Sequence, residues 1–189
     1  MRIKSVLTVL IVSILIPLHA GATDANPGTD VNPEGEEIPF SVLERTTPSV
    51  DGNSWSLSIE MDQGAYDNGT VFEISTQVCT NDGVCDPPVL RDANVDERVY
   101  SISLTPPSDH TYVNWRVKAT YEDDSTTNFP QGDWYKTWSS CYYQQDTGWG
   151  GVDYNDGACA SDSDKTIPGF TAIVAVVGVT FAAAFTRRE

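Results

Sequence analysis

Polar and apolar residues alternate strictly in several segments between residues 40 and 140. In 54–61, SWSLSIEM, every second residue is apolar, and the same period of two recurs in 71–78, 99–104 and 112–121. Strict alternation gives a strand one buried face and one solvated face. The residues predicted to face the core are Trp55, Leu57, Ile59, Met61, Phe72, Ile74, Thr76, Val78, Tyr100, Ile102, Leu104, Val113, Trp115, Val117, Ala119 and Tyr121.

Turn-forming residues separate these segments. Groups of Asp, Asn, Gly and Pro recur between them, and weaker strands are predicted at 41–46 and 134–139. No segment between the two ends of the chain has a helical period. About six or seven short antiparallel strands in such a length predict an all-β domain, an antiparallel sandwich of two sheets.

This pattern resembles the immunoglobulin-like and fibronectin type III group of domains. The resemblance rests on Trp55 in the middle of an early strand and on the long strand 112–121, and it covers 41–140. It implies an architecture and no activity. The Cys-Trp-Cys spacing of antibody domains is absent from the sequence.

The first 22 residues have the layout of a secretory signal peptide. Arg2 and Lys4 precede an apolar run over 5–18, and Ala20-Gly21-Ala22 supplies the small residues of a cleavage site. The apolar run is shorter than the roughly 20 residues of a spanning helix. We therefore predict a cleaved signal peptide over 1–22, with an uncleaved anchor as the alternative.

The other end of the chain predicts a membrane segment. Residues 167–186 carry no charge and are long enough to cross a bilayer as a helix. A short spacer, 161–166, precedes them, and a basic tail, 187–189, follows. Because Lys and Arg remain in the cytoplasm, the tail is predicted to be inside and the domain outside.

The same segment resembles the PGF-CTERM sorting signal of archaeal surface proteins. Pro168-Gly169-Phe170 begins it, an apolar stretch follows, and Arg187-Arg188 closes it. The resemblance implies cleavage by an archaeosortase and attachment of a lipid to the new C-terminus. An ordinary single-pass anchor, in which Pro168 only begins the helix, is the alternative.

The part predicted to be exported is strongly acidic. Residues 23–165 contain seven Lys and Arg against 26 Asp and Glu, which is a formal charge of −19. Such a charge excludes nucleic acid as a partner and disfavours anionic lipid headgroups. Residues 23–39 have too little apolar surface to fold and are predicted to be a disordered acidic linker before a domain over 40–160.

Four cysteines in an exported chain predict disulfides. Two local bridges are favoured among the three pairings: Cys79 with Cys85, and Cys141 with Cys159. The second bridge closes a glycine-rich loop at the end of the domain. A zinc site is a weak alternative because the spacings are not of the CxxC type.

A cluster of aromatic residues surrounds this loop. Tyr and Trp are enriched in binding surfaces, so the cluster is a candidate ligand surface. The alternative is that the rings fill the core and pack beneath the disulfide. The candidate surface residues are Trp138, Tyr142, Tyr143, Trp149 and Tyr154.

Two further sites are candidates. Oxygen-bearing side chains in the bridged loop could bind Ca²⁺, although their spacing is not that of an EF-hand, and otherwise no cofactor is expected. These residues are Asp146, Asp153, Asn155 and Asp156. Asn68 begins the glycosylation sequence Asn68-Gly69-Thr70 in a turn.

The sequence contains no recognisable catalytic motif. His110 is expected to be an ordinary surface residue. We therefore predict a cell-surface module with a binding, adhesion or structural envelope role, and no enzyme. An extracellular protein or glycan would be its partner, and the membrane would hold it through the C-terminal helix or a lipid. The alternative is a carbohydrate-active enzyme that uses carboxylates and aromatic residues.

Overall fold

The computed structural model describes residues 26–159. The predicted signal peptide, spacer, C-terminal apolar segment and basic tail lie outside these residues. One short helix, α1 (Gln63–Asp67), occurs in the described part of the chain. The strands are β1 (Phe40–Arg45), β2 (Trp55–Met61), β3 (Val71–Thr80), β4 (Val89–Leu90), β5 (Asn94–Asp96), β6 (Val99–Leu104), β7 (His110–Thr120), β8 (Thr126–Phe129), β9 (Tyr135–Trp138), β10 (Tyr142–Gln144), β11 (Gly148–Gly150), β12 (Tyr154–Asn155) and β13 (Ala158–Cys159).

The strands form two antiparallel sheets and two small hairpins. One sheet has the order β1-β2-β6-β5. The other has the order β4-β3-β7-β8, and β9 also pairs with β7. Strands β9 and β8 follow one another along one edge of β7, because β9 pairs with residues 112–115 and β8 with residues 117–120. The predicted all-β fold is confirmed, and the two sheets are those of a β-sandwich.

The core lies between the two sheets. Phe40 of β1 packs edge-on against Phe72 of β3 at 5.7 Å between ring centroids, which joins the sheets. The predicted alternation is confirmed: the inward residues of β2, β3 and β7 are buried, and Tyr100 and Ile102 of β6 join them. Leu104 and Tyr121, also predicted to face the core, are partly buried against it. Burial of these side chains stabilises the fold by about 1.5–3 kcal/mol each.

The segment before β1 differs from the predicted disordered linker. Residues 26–39 lie against the domain, and Val31 forms a bridge with Lys136 of β9. Asp30 accepts hydrogen bonds from Arg45 and Thr47 and from the backbone N–H of Trp138. The prediction counted apolar residues only, whereas this acidic segment is held by polar contacts.

Helix α1 is also absent from the sequence prediction. It has five residues, fewer than two turns, which is too short for a helical period to show. Among residues 26–159, no helix has the length and apolar composition that crossing a membrane requires.

Candidate ligand-binding site

The candidate site is built on the loop that the second disulfide closes. Cys141 is bonded to Cys159, and Cys79 is bonded to Cys85, so both predicted pairings are confirmed. Two hairpins, β10–β11 and β12–β13, fill the loop between Cys141 and Cys159. A closed loop of this length contributes about 3 kcal/mol to stability in the chain-entropy model.

Two of the five predicted surface aromatics are buried. Trp138 is 3% exposed and Tyr142 is 8% exposed, so neither forms a ligand surface. Their ring centroids are 4.6 Å apart, and the Tyr112 ring also packs edge-on against Trp138 at 5.2 Å. The bridged loop folds back over β9, which sequence periodicity could not show. For these two residues the packing alternative is correct.

The other three aromatic residues form a continuous cluster of rings, which we call the aromatic face: the exposed Trp149 and the half-buried Tyr143 and Tyr154. Trp149 is 46% exposed and lies opposite Tyr143 across the β10–β11 hairpin. The ring centroids of these two are 5.3 Å apart. Tyr154 lies parallel to Trp149, with 9° between ring planes and 6.2 Å between centroids. The face therefore offers neighbouring rings to a flat apolar ligand surface.

A cleft of about 460 Å³ adjoins the aromatic face at Tyr143. The β3–β4 turn and the start of β7 form one wall, and the β10–β11 turn forms the other. Asn81 fixes the two walls together: its Oδ1 accepts hydrogen bonds from the Tyr143 N–H at 2.8 Å and from the Thr111 hydroxyl at 3.0 Å. This size is within the range of small-molecule sites.

The cleft is acidic. Asp82 and Asp146 line it, together with the amides of Gln144 and Gln145, and no basic residue lines it. The Thr80 hydroxyl and the Val84 N–H donate to Asp82 and lower its pKa, so Asp82 is ionised at neutral pH. An anionic ligand is therefore disfavoured here, whereas a neutral ligand with hydroxyl groups meets amide and carboxylate acceptors.

A Ser-His-Asp arrangement lies beneath this end of the sandwich. His110 Nε2 is 2.7 Å from the Ser49 hydroxyl, and its Nδ1 is 2.7 Å from Asp51 Oδ1. Burial lowers the pKa of His110, although Asp51 opposes the shift. A neutral ring that donates from Nδ1 to Asp51 and accepts from Ser49 at Nε2 would match hydrolytic triads. Both atoms also have other partners, because the Ser49 hydroxyl is 3.1 Å from the Trp138 carbonyl oxygen and Nδ1 is 2.9 Å from the Pro107 carbonyl oxygen.

Two residues of this Ser-His-Asp arrangement, Ser49 and His110, are enclosed by the domain. Ser49 and His110 are both 0% exposed, so a substrate has no access to the hydroxyl in this structure. The Ser49 backbone N–H also donates a hydrogen bond to the Trp138 carbonyl oxygen at 2.9 Å. The three residues tie the β1–β2 connection to β7 and β9. The expectation that His110 is a surface residue is wrong, because a single sequence does not show which turn covers it.

The calcium and glycosylation candidates lie in turns. Asp146 is in the β10–β11 turn and Asp156 is in the β12–β13 turn. Within residues 26–159, no group of three or more acidic, His or Cys side chains is placed to hold a metal, so the predicted carboxylates do not converge. Asn155 and Asp156 are exposed, and Asp153 is half-buried. Asn68 is exposed at the C-terminal end of α1, and its glycosylation remains a prediction.

The chain is similar to solved structures but to no known family. No protein-family model matches this chain, and no curated protein matches it. Among solved structures, the chain is similar to a conjugative transposon lipoprotein from Bacteroides eggerthii. The two share 12% sequence identity over 52% of this chain and 96% of that chain, with a TM-score of 0.31. This similarity is too low to support an argument about function.

Proposed function

We propose that the protein is a cell-surface module that binds an extracellular glycan at the aromatic face and the adjoining cleft. The observation that carries the proposal is the exposure of Trp149 between Tyr143 and Tyr154, beside a cleft lined by amides and carboxylates. Sugar rings have apolar faces that stack on aromatic rings, and their hydroxyl groups donate to such acceptors.

The order of the strands supports an immunoglobulin-like assignment within the β-sandwiches. In that fold, strands A, B, E and D form one sheet and strands C, F and G form the other. Here β1, β2, β6 and β5 have the first order. In the second sheet, β3 and β7 correspond to C and F, β8 and β9 share the place of G, and β4 is an added edge strand beside C.

An outer-surface location is part of the proposal. Two disulfides are typical of oxidising compartments, which agrees with the predicted signal peptide. The C-terminal segment would hold the domain at the membrane, either as a helix or through a lipid that replaces it. Mass spectrometry of the mature protein distinguishes these, because only the first outcome retains Arg187 and Arg188.

We also propose that the module binds without catalysing a reaction. Ser49 and His110, which have the geometry of a catalytic pair, are enclosed. Near the aromatic face, hydrogen bonds from Thr80 and Val84 lower the pKa of Asp82, which is the opposite of the raised pKa that a general acid for glycoside hydrolysis requires.

Glycan-array binding of the purified full-length protein tests the proposed function. We expect binding to neutral glycans, and we expect Trp149→Ala to weaken this binding by about tenfold or more. For comparison, a nucleic-acid base stacked on one aromatic ring contributes about 1–3 kcal/mol. Tyr66→Ala is the matched control, because Tyr66 is 47% exposed on α1, away from the bridged loop. Binding that tolerates Trp149→Ala, or no binding to any glycan, would contradict the proposal.

A further inference from the structure

The outer face of the five-stranded sheet carries a basic region on an acidic domain. Arg116 and Lys118 of β7 alternate with the buried Trp115 and Val117, so their side chains point away from the core. Lys136 of β9 lies opposite Asn114 on the same face. Three of the six Lys and Arg among residues 26–159 are therefore on one sheet face.

Arg116 has a cationic side chain that forms no salt bridge in the described part of the chain, although the Asp133 carboxylate acts on it electrostatically at longer range. Arg45, Arg98 and Lys118 are each paired with a carboxylate. By contrast, no hydrogen bond or ion pair joins the Arg116 guanidinium to another residue among 26–159. Its Cζ instead lies 3.6 Å from the centroid of the Trp134 ring, and its Nε is buried without a hydrogen-bond partner. In a domain with a large excess of acids, an arginine that is held on a tryptophan and forms no salt bridge requires an explanation.

A cleft of about 340 Å³ lies beside this arginine. Its lining combines charge, hydrogen-bonding groups and apolar surface. Arg116 supplies the positive charge, Ser75 and Asn128 supply hydrogen-bonding groups, and Leu90 and Trp134 supply apolar surface. Lys118 and Glu73 also line the cleft, but they form an ion pair with each other and add little net charge.

We propose that this cleft binds a carboxylated sugar, a hexuronate residue of an acidic glycan. The guanidinium of Arg116 is planar and its stacking on Trp134 fixes its orientation, which suits two parallel hydrogen bonds to a carboxylate. Ser75 and Asn128 lie opposite Arg116 and Lys118 in the sheet and would meet the hydroxyl groups of the ring.

A sugar fits this cleft better than an acidic peptide does. Extended peptides are commonly bound by adding a strand to a free sheet edge. The cleft lies on the face of β3, β7 and β8, where the backbone groups at Glu73, Ser75 and Lys118 are already in paired strands. Only side chains are available there, and the volume accommodates a single ring more readily than a chain.

Calorimetric titration of the full-length protein tests the proposal, with trigalacturonate as the probe. We expect binding of trigalacturonate and at least about tenfold weaker binding of its neutral methyl ester, because one charge-assisted pair is lost. Arg116→Gln should weaken trigalacturonate binding by about the same factor. Arg116→Lys should restore part of it, since the charge remains but the two parallel hydrogen bonds do not.

The controls separate this site from the aromatic face. Trp149→Ala should leave trigalacturonate binding unchanged, so either proposal can fail alone. Near-ultraviolet circular dichroism checks that each variant is folded. The proposal is overturned if trigalacturonate does not bind at millimolar concentration, if the methyl ester binds equally well, or if a hexa-aspartate peptide binds as tightly and with the same dependence on Arg116.

Discussion

His110 makes the stability of the domain dependent on pH. Burial lowers the pKa of His110 in the folded protein, so below about pH 6.5 the unfolded chain binds more protons than the folded chain does. We therefore expect the free energy of unfolding in urea to decrease from pH 7.5 to pH 5.5. Burial also raises the pKa of Asp51 in the folded protein. This shift increases stability as the pH falls and so opposes the effect of His110, but it acts mainly at the lower pH at which carboxyl groups titrate.

The variant His110→Gln isolates this effect. It removes the titrating ring and one or both hydrogen bonds, so we expect a loss of about 1–3 kcal/mol at pH 7.5. The difference between pH 7.5 and pH 5.5 should then become smaller than in the wild type. An unchanged difference would show that other groups cause the pH dependence.

Single residues differ in how well the sequence predicts their surroundings. Trp55 and Trp115 lie within long alternating segments, and both are buried as predicted. Trp138, Tyr142 and His110 lie at strand ends or in the bridged loop, where burial depends on which distant segment folds over them. Tyr142, for example, lies so close to Gly28 that a Cβ on Gly28 would be 2.5 Å from the Tyr142 hydroxyl oxygen. No local pattern contains that information.

The segment before β1 stabilises the domain through Asp30. Its carboxylate receives hydrogen bonds from Arg45 at 2.9 Å, from Thr47 at 2.7 Å and from the Trp138 N–H at 2.8 Å. The Arg45 side chain is only 11% exposed, so loss of Asp30 leaves a mostly buried cation without its carboxylate. We expect Asp30→Ala to destabilise the protein by about 2–4 kcal/mol in urea unfolding.

The matched control is Glu37→Ala, which removes an exposed acid from the same segment. It should change the free energy of unfolding by less than about 0.5 kcal/mol. Equal effects of the two substitutions would mean that only the charge of the segment matters. The contacts of this segment were not predictable because its composition is that of a disordered linker, and the partners of Asp30 come from three separate strands or connections.

The bridged loop depends on Gly151. Its φ is +109°, and a Cβ there would lie 2.2 Å from the Ser140 carbonyl oxygen, which also accepts the Asp153 N–H. Gly148 has a φ of +84° but open space around its Cβ position. Gly148→Ala should therefore cost about 1–2 kcal/mol from backbone strain alone. Gly151→Ala should cost about 1–3 kcal/mol more in thermal or urea unfolding. Equal losses would show that the loop can move away from Ser140.

The whole domain repels itself electrostatically at low ionic strength. Its acids are spread over turns and outer faces. Its few cations mostly form ion pairs with carboxylates or lie on one sheet face. The composition of the sequence predicts this charge. The position of the basic region, by contrast, can be read only from the pairing register of β7 and β9. Screening of the acids should favour the compact state, because like charges lie closer together there than in the unfolded chain.

We therefore expect the free energy of unfolding in urea to rise by on the order of 1 kcal/mol between about 0.05 and 1 M NaCl. The triple variant Asp92→Asn, Asp96→Asn and Glu97→Gln removes three exposed carboxylates near β5. It should be more stable than the wild type at low salt and should gain less from added salt, which distinguishes screening of charge from a general effect of salt on apolar burial. If variant and wild type respond equally to salt, self-repulsion by these acids is not what limits stability.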